Sequence, residues 1–358
     1  MRKYILLNLL AISACVMAEV SPYIYRVWEY APAPGQFVNQ LPEYEAGDDA
    51  NMMRLKAEEA IADDNRGLIS LGGWGGYVVF GFDHLVVNRP DNKDFVILGN
   101  SFYSEANPNP DARPYGGSAE PGVVWVSYDA NGNGKPDDEW YELAGSEHTN
   151  PLTRHDYSVT YYRPADSHIP MPGTTQKYIT DSLYIRWCDN VAQSGYLFQN
   201  AYNTQPYFPE WLDADSLTFS GTRLPDNGVD ESGTGSYYVL YAYEYGYADN
   251  HPNTSALAGL DIQWAVKTDG TPADLPGIHF VKVQSGLLQQ CGWLGETSTE
   301  VMGAIDLSMT EDVSIVAADA GQQAVYTIGG IYLGTQVPAT QGIYIVRKAG
   351  KTTKVIRK

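Results

Sequence analysis

Short apolar runs recur along this chain at close spacing, with turn residues between them. The runs at Tyr77–Phe82, Asp94–Leu98, Val123–Tyr128, Trp140–Leu143 and Tyr157–Tyr162 predict strands. Those at Tyr178–Trp187, Leu217–Ser220, Tyr237–Tyr247, Leu260–Lys267 and His279–Val283 predict more. One segment departs from this pattern. Residues 50–64 predict a helix, with Asp48 or Asp49 as its cap, an apolar stripe of Met53, Ala57, Ala60 and Ile61, and an end at Asn65-Arg66-Gly67. Helix–strand alternation, which would imply a parallel α/β sheet, is missing. The pattern predicts an all-β fold, a β-sandwich with one short N-terminal helix. Residues 19–45, rich in proline and aromatics without a period, read as an extended arm. Gly72-Gly73-Trp74-Gly75-Gly76 lacks the lysine and the following Ser/Thr of a phosphate loop, and reads as a tight turn or bulge between strands.

Composition supports the β reading: 35 Gly and 21 Pro punctuate many short strands, and 27 Tyr favour pleated, half-buried surfaces. With 358 residues, the chain is long enough to bury a full core. Its formal net charge of -20 repels nucleic acid and anionic membrane surfaces and suits a protein that attracts cations.

The two ends of the chain differ from its body. Arg2 and Lys3 precede an apolar run, Tyr4 to Val16, too short to span a bilayer, which reads as a secretory signal with cleavage after Ala18. Ile12-Ser13-Ala14-Cys15 offers a rival exit by lipidation of Cys15. No later segment reads as a transmembrane helix. Residues 321–358 contain no Asp or Glu but carry Arg347, Lys348, Lys351, Lys354, Arg357 and Lys358. So sharp a change of sign predicts a separate small β module. Its strands are expected at Ala324–Ile328, Ile331–Leu333, Gly342–Val346 and Thr353–Ile356. The expected organisation is a signal at 1–18, a β-domain at 19–305, and a linker with the basic module at 306–358.

The stretch from Asp129 to Trp140 carries the clearest chemistry. Asp129, Asn131 and Asn133 place side-chain oxygens at loop positions one, three and five, Gly134 follows at six, and Asp137, Asp138 and Glu139 close the run. A hard cation such as calcium is wrapped in this way. The Lys135 main-chain carbonyl would supply a further oxygen. Glu139 stands at position eleven where a regular EF-hand uses twelve, and the flanks read as strands. The alternative is an ion-free Asn-Gly hairpin; clustered carboxylates repel one another without a cation, which favours calcium. Its role would be structural, clamping two strands.

Other features carry less. In a continuous strand, Tyr237, Val239, Tyr241, Tyr243, Tyr245 and Tyr247 would share one face, either as core filling or as a stacking surface. The end near Asp249-Asn250 is the part expected to face a ligand, through Tyr245, Tyr247, Asp249 and Asn250. Polar loops at Asn107–Asp111, Asp226–Glu231 and Asp249–Asn253 suit a rim or ordinary turns. Cys188 and Cys291 are equally consistent with a disulfide and with two separate thiols. His-Glu-x-x-His and Gly-x-Ser-x-Gly are absent, and His84, His148, His155, His168, His251 and His279 are scattered without metal spacing, so no enzyme is predicted.

Two resemblances add to this reading. Val325-Tyr326-Thr327-Ile328-Gly329-Gly330, Gly342-Ile343-Tyr344-Ile345-Val346 and the closing Lys354-Val355-Ile356 resemble the C-terminal sorting domains of the Bacteroidetes type IX secretion system. The body is similar to a family of Bacteroidetes cell-surface proteins of largely unassigned function. That similarity rests on Gly72–Tyr77, Gly81-Phe82-Asp83-His84, Asp94-Phe95 to Gly99-Asn100, Glu120-Pro121-Gly122, the calcium-like loop, Gly246–Asn250 and Leu275–Val283. Its strand order also resembles discoidin-like jelly rolls, whose rims bind calcium and sugars. These resemblances imply a protein that is secreted or attached to the outer face of the outer membrane. It would bind a glycan or a corrinoid-type nutrient without catalysis, beside an outer-membrane uptake system. A secreted carbohydrate-active hydrolase and a structural or adhesive surface protein are the other two classes that the sequence allows.

Overall fold

The computed structural model describes residues 20–104, 114–310, 324–327, 332–340, 342–348 and 351–357. The secretory and lipidation motifs, and the Asn107–Asp111 loop, lie outside the described residues. The protein is mostly β, and the one α-helix among the described residues spans Ala50–Ile61. Asp49 caps that helix by accepting the Met52 N–H, and Met53, Ala57 and Ile61 are its buried face. No described helix is long and apolar enough to cross a membrane.

Residues up to Met309 form one compact unit and Thr310–Lys358 a second. In the first unit the strands do not make the two facing sheets of a jelly roll. They divide into sheets of six, four, four and three strands with a further two-stranded pair, a four-bladed, propeller-like arrangement. The physical reason is the shortness of many strands. Pairs such as Phe102–Tyr103 and Gly259–Leu260 span only two residues, too few to run across a sandwich.

The six-stranded sheet holds the main core. Its order is Arg26–Ala31, Tyr77–Val87, Gly277–Ser285, Gly122–Ser127, Trp140–Leu143 and Ala265–Val266, all antiparallel. Part of the proline-rich arm is thus an edge strand of this sheet. Val283 pairs with Val78 on one side and Val124 on the other, so the central strands are buried on both faces. A four-stranded sheet follows, in the order Ser194–Asn200, Ile179–Asp189, Arg154–Tyr162 and Ser216–Arg223. It carries its own core of Trp74, Tyr157, Tyr161, Ile185, Leu197 and Phe219.

Gln284 ties these two sheets together. From the six-stranded sheet it donates to the carbonyls of Gly75 and Ser220 at 2.9 and 3.0 Å. The approach is close enough that a Cβ on Gly221 would lie 1.9 Å from the Gln284 Oε1. The glycine cluster serves the same junction. Gly72 and Gly75 turn with φ of +67° and +92°, and a Cβ on Gly72 would sit 1.9 Å from the Ala33 carbonyl oxygen.

The tyrosine-rich run is not a single strand. It pairs only over Tyr238–Tyr241 and then turns, with Gly246 at φ +96°. Leu260–Lys267 is likewise broken by a 3-10 turn at Ile262–Trp264. Asp306, placed by the sequence in the second module, belongs to the strand Gly303–Asp306 of the first unit. In the second unit four antiparallel strands run in the order Tyr332–Gly334, Ala324–Thr327, Gly342–Lys348 and Lys351–Arg357.

Candidate functional site

A cleft of about 800 Å³ opens between the six- and four-stranded sheets. The strands Gly122–Ser127 and Trp140–Leu143 supply Trp125, Trp140 and Glu142 to it, and the turn Lys267–Gly270 borders it. The four-stranded sheet supplies His155, Asp156, Tyr157 and Thr222, and His148 comes from the connection between the two sheets. Trp125 and Glu142 are direct cross-strand partners, which fixes their spacing. Thr222 lies where the register of Ser216–Arg223 slips against Arg154–Tyr162. Such a bulge re-aims a side chain, and Thr222 is buried against the cleft wall. The buried Nε1 of Trp125 has no hydrogen-bond partner among the described residues.

Glu142 organises the polar side of this cleft. Its Oε1 lies 2.9 Å from His148 Nδ1. Its Oε2 accepts the Thr222 hydroxyl at 2.5 Å and lies 3.8 Å from His155 Nδ1. The two imidazoles are stacked obliquely with centroids 4.5 Å apart. Burial works to raise the Glu142 carboxyl, but His148, His155 and Thr222 outweigh it and hold the group below the usual carboxylate range. The Glu142 partner raises His155 against the opposing effect of burial. The cleft therefore contains a fixed anion with two imidazoles beside it. The sequence concealed this group, since Glu142, His148 and His155 match no ligand spacing and two of them are strand residues.

The loop expected to hold calcium joins neighbouring strands, with Ser127 paired to Trp140 across its base. Asp129 accepts the N–H groups of Asn133 and Gly134 at 3.1 and 2.8 Å. Asp138 accepts the N–H of Ala130 at 3.1 Å, and Asn133 Oδ1 accepts that of Lys135 at 2.8 Å. The carboxamides of Asn131 and Asn133 both donate to Asp137. Asn131 and Asn133 thus meet at Asp137, while Asp129 and Asp138 hold the loop backbone. Glu139 does not join them. Its carboxylate turns to accept the Tyr141 hydroxyl at 2.7 Å. The Lys135 carbonyl accepts the N–H of Asp137.

The structure corrects the expected ligand rim. Tyr247, Asp249 and Asn250 are buried, and Tyr245 packs against Trp264 with ring centroids 4.8 Å apart. Tyr247 accepts the Glu147 N–H, and Asn250 bridges to the backbone of Tyr243. Asp249 is instead part of an interior carboxyl group. Asp249, Glu120 and Glu300 each bring an oxygen within 4.8 Å of the others. Asp249 accepts the N–H groups of Asn100, Ser101 and Glu300. Burial, reinforced by neighbouring carboxyls, raises Glu120 and Asp249; burial raises Glu300 against its hydrogen bonds with Ser298 and Ser70, and pushes Glu296 nearby up to about 7. Cys188 and Cys291 are free thiols, with Cys188 beside the Tyr162 hydroxyl.

No protein-family model matches the chain, and no curated protein matches it.

Proposed function

We propose that this chain is an exported, non-catalytic ligand-binding protein of the cell surface, whose cleft takes a polar, ring-bearing nutrient of the glycan or corrinoid class. The observation that carries this reading is the roughly 800 Å³ cleft with Trp125, Trp140 and Tyr157 in its lining. A cleft of this size, with indole rings beside a few fixed polar groups, suits a small molecule that stacks on one face and hydrogen-bonds at its edge. Asp156, Asp269 and Lys267 supply the polar edge. The signal-like and sorting-like ends of the sequence support export, and the acidic body suits a secreted surface protein.

A structural calcium ion in the loop from Asp129 to Asp138 belongs to the same reading. Asp137 accepts both carboxamides there and Asp129 accepts two backbone N–H groups, so this short turn gathers acceptor oxygens of the kind a hard cation takes. Acid–base hydrolysis is a weaker reading for the cleft. Its one buried carboxylate, Glu142, is held ionised between two imidazoles and so lacks the proton that a general acid must donate.

The test is calorimetric titration of the protein with glycans and corrinoids, with chelator present throughout. Saturable binding without product supports the reading. Silence from every compound, or turnover of one, sinks it.

A further inference from the structure

We propose that Glu142, His148 and His155 bind a divalent transition-metal ion of the zinc class in the cleft wall. Two imidazoles and one carboxylate form a donor set suited to zinc, copper, nickel or iron, and poorly suited to calcium or magnesium. The three side chains each bring a ligating atom within 4.8 Å of the others. In a tetrahedral zinc shell with ordinary bond lengths, neighbouring donors stand about 3.3 Å apart. His148 Nδ1 lies 2.9 Å from Oε1 of Glu142 and His155 Nδ1 3.8 Å from its Oε2, so the carboxylate faces one imidazole with each oxygen.

The proton count at His155 gives the stronger argument. Its Nε2 lies 3.0 Å from the His148 carbonyl oxygen. A carbonyl can only accept, so Nε2 carries the hydrogen. In the neutral ring, Nδ1 is then a bare lone pair. That lone pair faces Glu142 Oε2 at 3.8 Å and Thr222 Oγ1 at 3.3 Å. Thr222 has one hydroxyl hydrogen and donates it to Glu142 at 2.5 Å. Neither neighbour therefore has a hydrogen to offer the ring. A metal ion placed between nitrogen and carboxylate would engage the lone pairs of both. The surroundings match the metal case. A ligating histidine characteristically donates its other N–H to a carbonyl, as His155 does, and a ligating carboxylate is itself hydrogen-bonded, as Glu142 is by Thr222. The group lines an open cleft, which gives an ion an entry path.

This site stands apart from the nutrient reading, because it is measured on the full chain without any organic ligand. The chelator-stripped protein is titrated with zinc against a chromophoric competitor, and with cobalt while its visible spectrum is recorded. One equivalent of tight zinc uptake is expected, with a cobalt spectrum of four-coordinate nitrogen–oxygen type. The His155 side chain is 45% exposed, so His155→Ala should fold, as checked by circular dichroism. It should bind zinc at least about tenfold more weakly. Asp129→Ala, which alters the calcium-like loop, should bind zinc like the wild type. The proposal is overturned if the wild type takes up no stoichiometric zinc, if His155→Ala binds as tightly as the wild type, or if Asp129→Ala abolishes uptake. The first of these outcomes would leave His155 a simple protonated partner of Glu142.

Discussion

Asp249 Oδ2 accepts the backbone N–H of Glu300 at 3.0 Å, which locks two buried acids from distant parts of the chain side by side. Glu120 joins them, and Glu296 lies in the same interior region, bonded to the amide and side chain of Gln36. No Lys or Arg forms an ion pair with any of the four among the described residues. Burial is thus offset only by hydrogen bonds and retained protons.

A pH dependence follows. These acids bind protons more tightly folded than unfolded, and Glu296 is pushed up to about 7 from 4.5. Their contribution is fully present below the unfolded value and is lost as pH rises through the folded one. Thermal stability should fall between about pH 5 and 8. Glu300→Gln keeps an oxygen for the Ser70 and Ser298 hydroxyls and removes the charge. It should be more stable than the wild type at pH 8, by on the order of 1–3 kcal/mol, and nearly equal at pH 4.5. Parallel melting curves for the two proteins across this range would contradict the prediction.

Calcium should raise the melting temperature of the wild type through the loop of Asp129. At a concentration one hundred times Kd, a ligand of the native state stabilises by about 2.7 kcal/mol. Asp129→Ala should melt identically with calcium and with chelator. Calorimetric scans of both proteins in both conditions decide it, and a wild type indifferent to calcium removes the site.

Trp140 lies in the cleft lining and is half-buried. Trp140→Ala should leave the fold intact while weakening the cleft ligand by at least about tenfold, the equivalent of one stacking contact of roughly 1.4 kcal/mol. Isothermal titration with the tightest compound found for the wild type measures this. An unchanged Kd would place the ligand elsewhere.

Two glycines of similar backbone conformation should respond differently to alanine. Gly72 has φ +67°, and its Cβ would collide with the Ala33 carbonyl. Gly132 has φ +70° but nothing within 4 Å. Gly72→Ala should cost about 3 kcal/mol or more, and Gly132→Ala about 1 kcal/mol, the strain of the left-handed backbone alone. Urea unfolding of the two variants gives both values, and equal losses would refute the packing account.

The sequence alone determined what depends on neighbours along the chain. The β class, the helix capped at Asp49, the turn at Gly72–Gly76 and the strand-to-strand loop from Asp129 to Asp138 were legible because periodicity, capping and turn chemistry act over a few residues. The basic tail was legible as a change of charge. Tertiary structure decided the rest. Tyr238–Tyr241 is a strand and Tyr243–Tyr247 is not, because the turn ending at Gly246 closes against Gly145, far away in sequence. Asp249 and Asn250 read as polar rim residues, yet long-range hydrogen bonds make their burial tolerable. Glu142, His148 and His155 meet only because two sheets face each other across a cleft. Glu120, Asp249 and Glu300 meet only because Glu300–Val301 pairs with Ile69–Ser70 and brings a late segment into the interior. Strand pairing across long separations carries no local signature, so sequence pattern could not place these groups together.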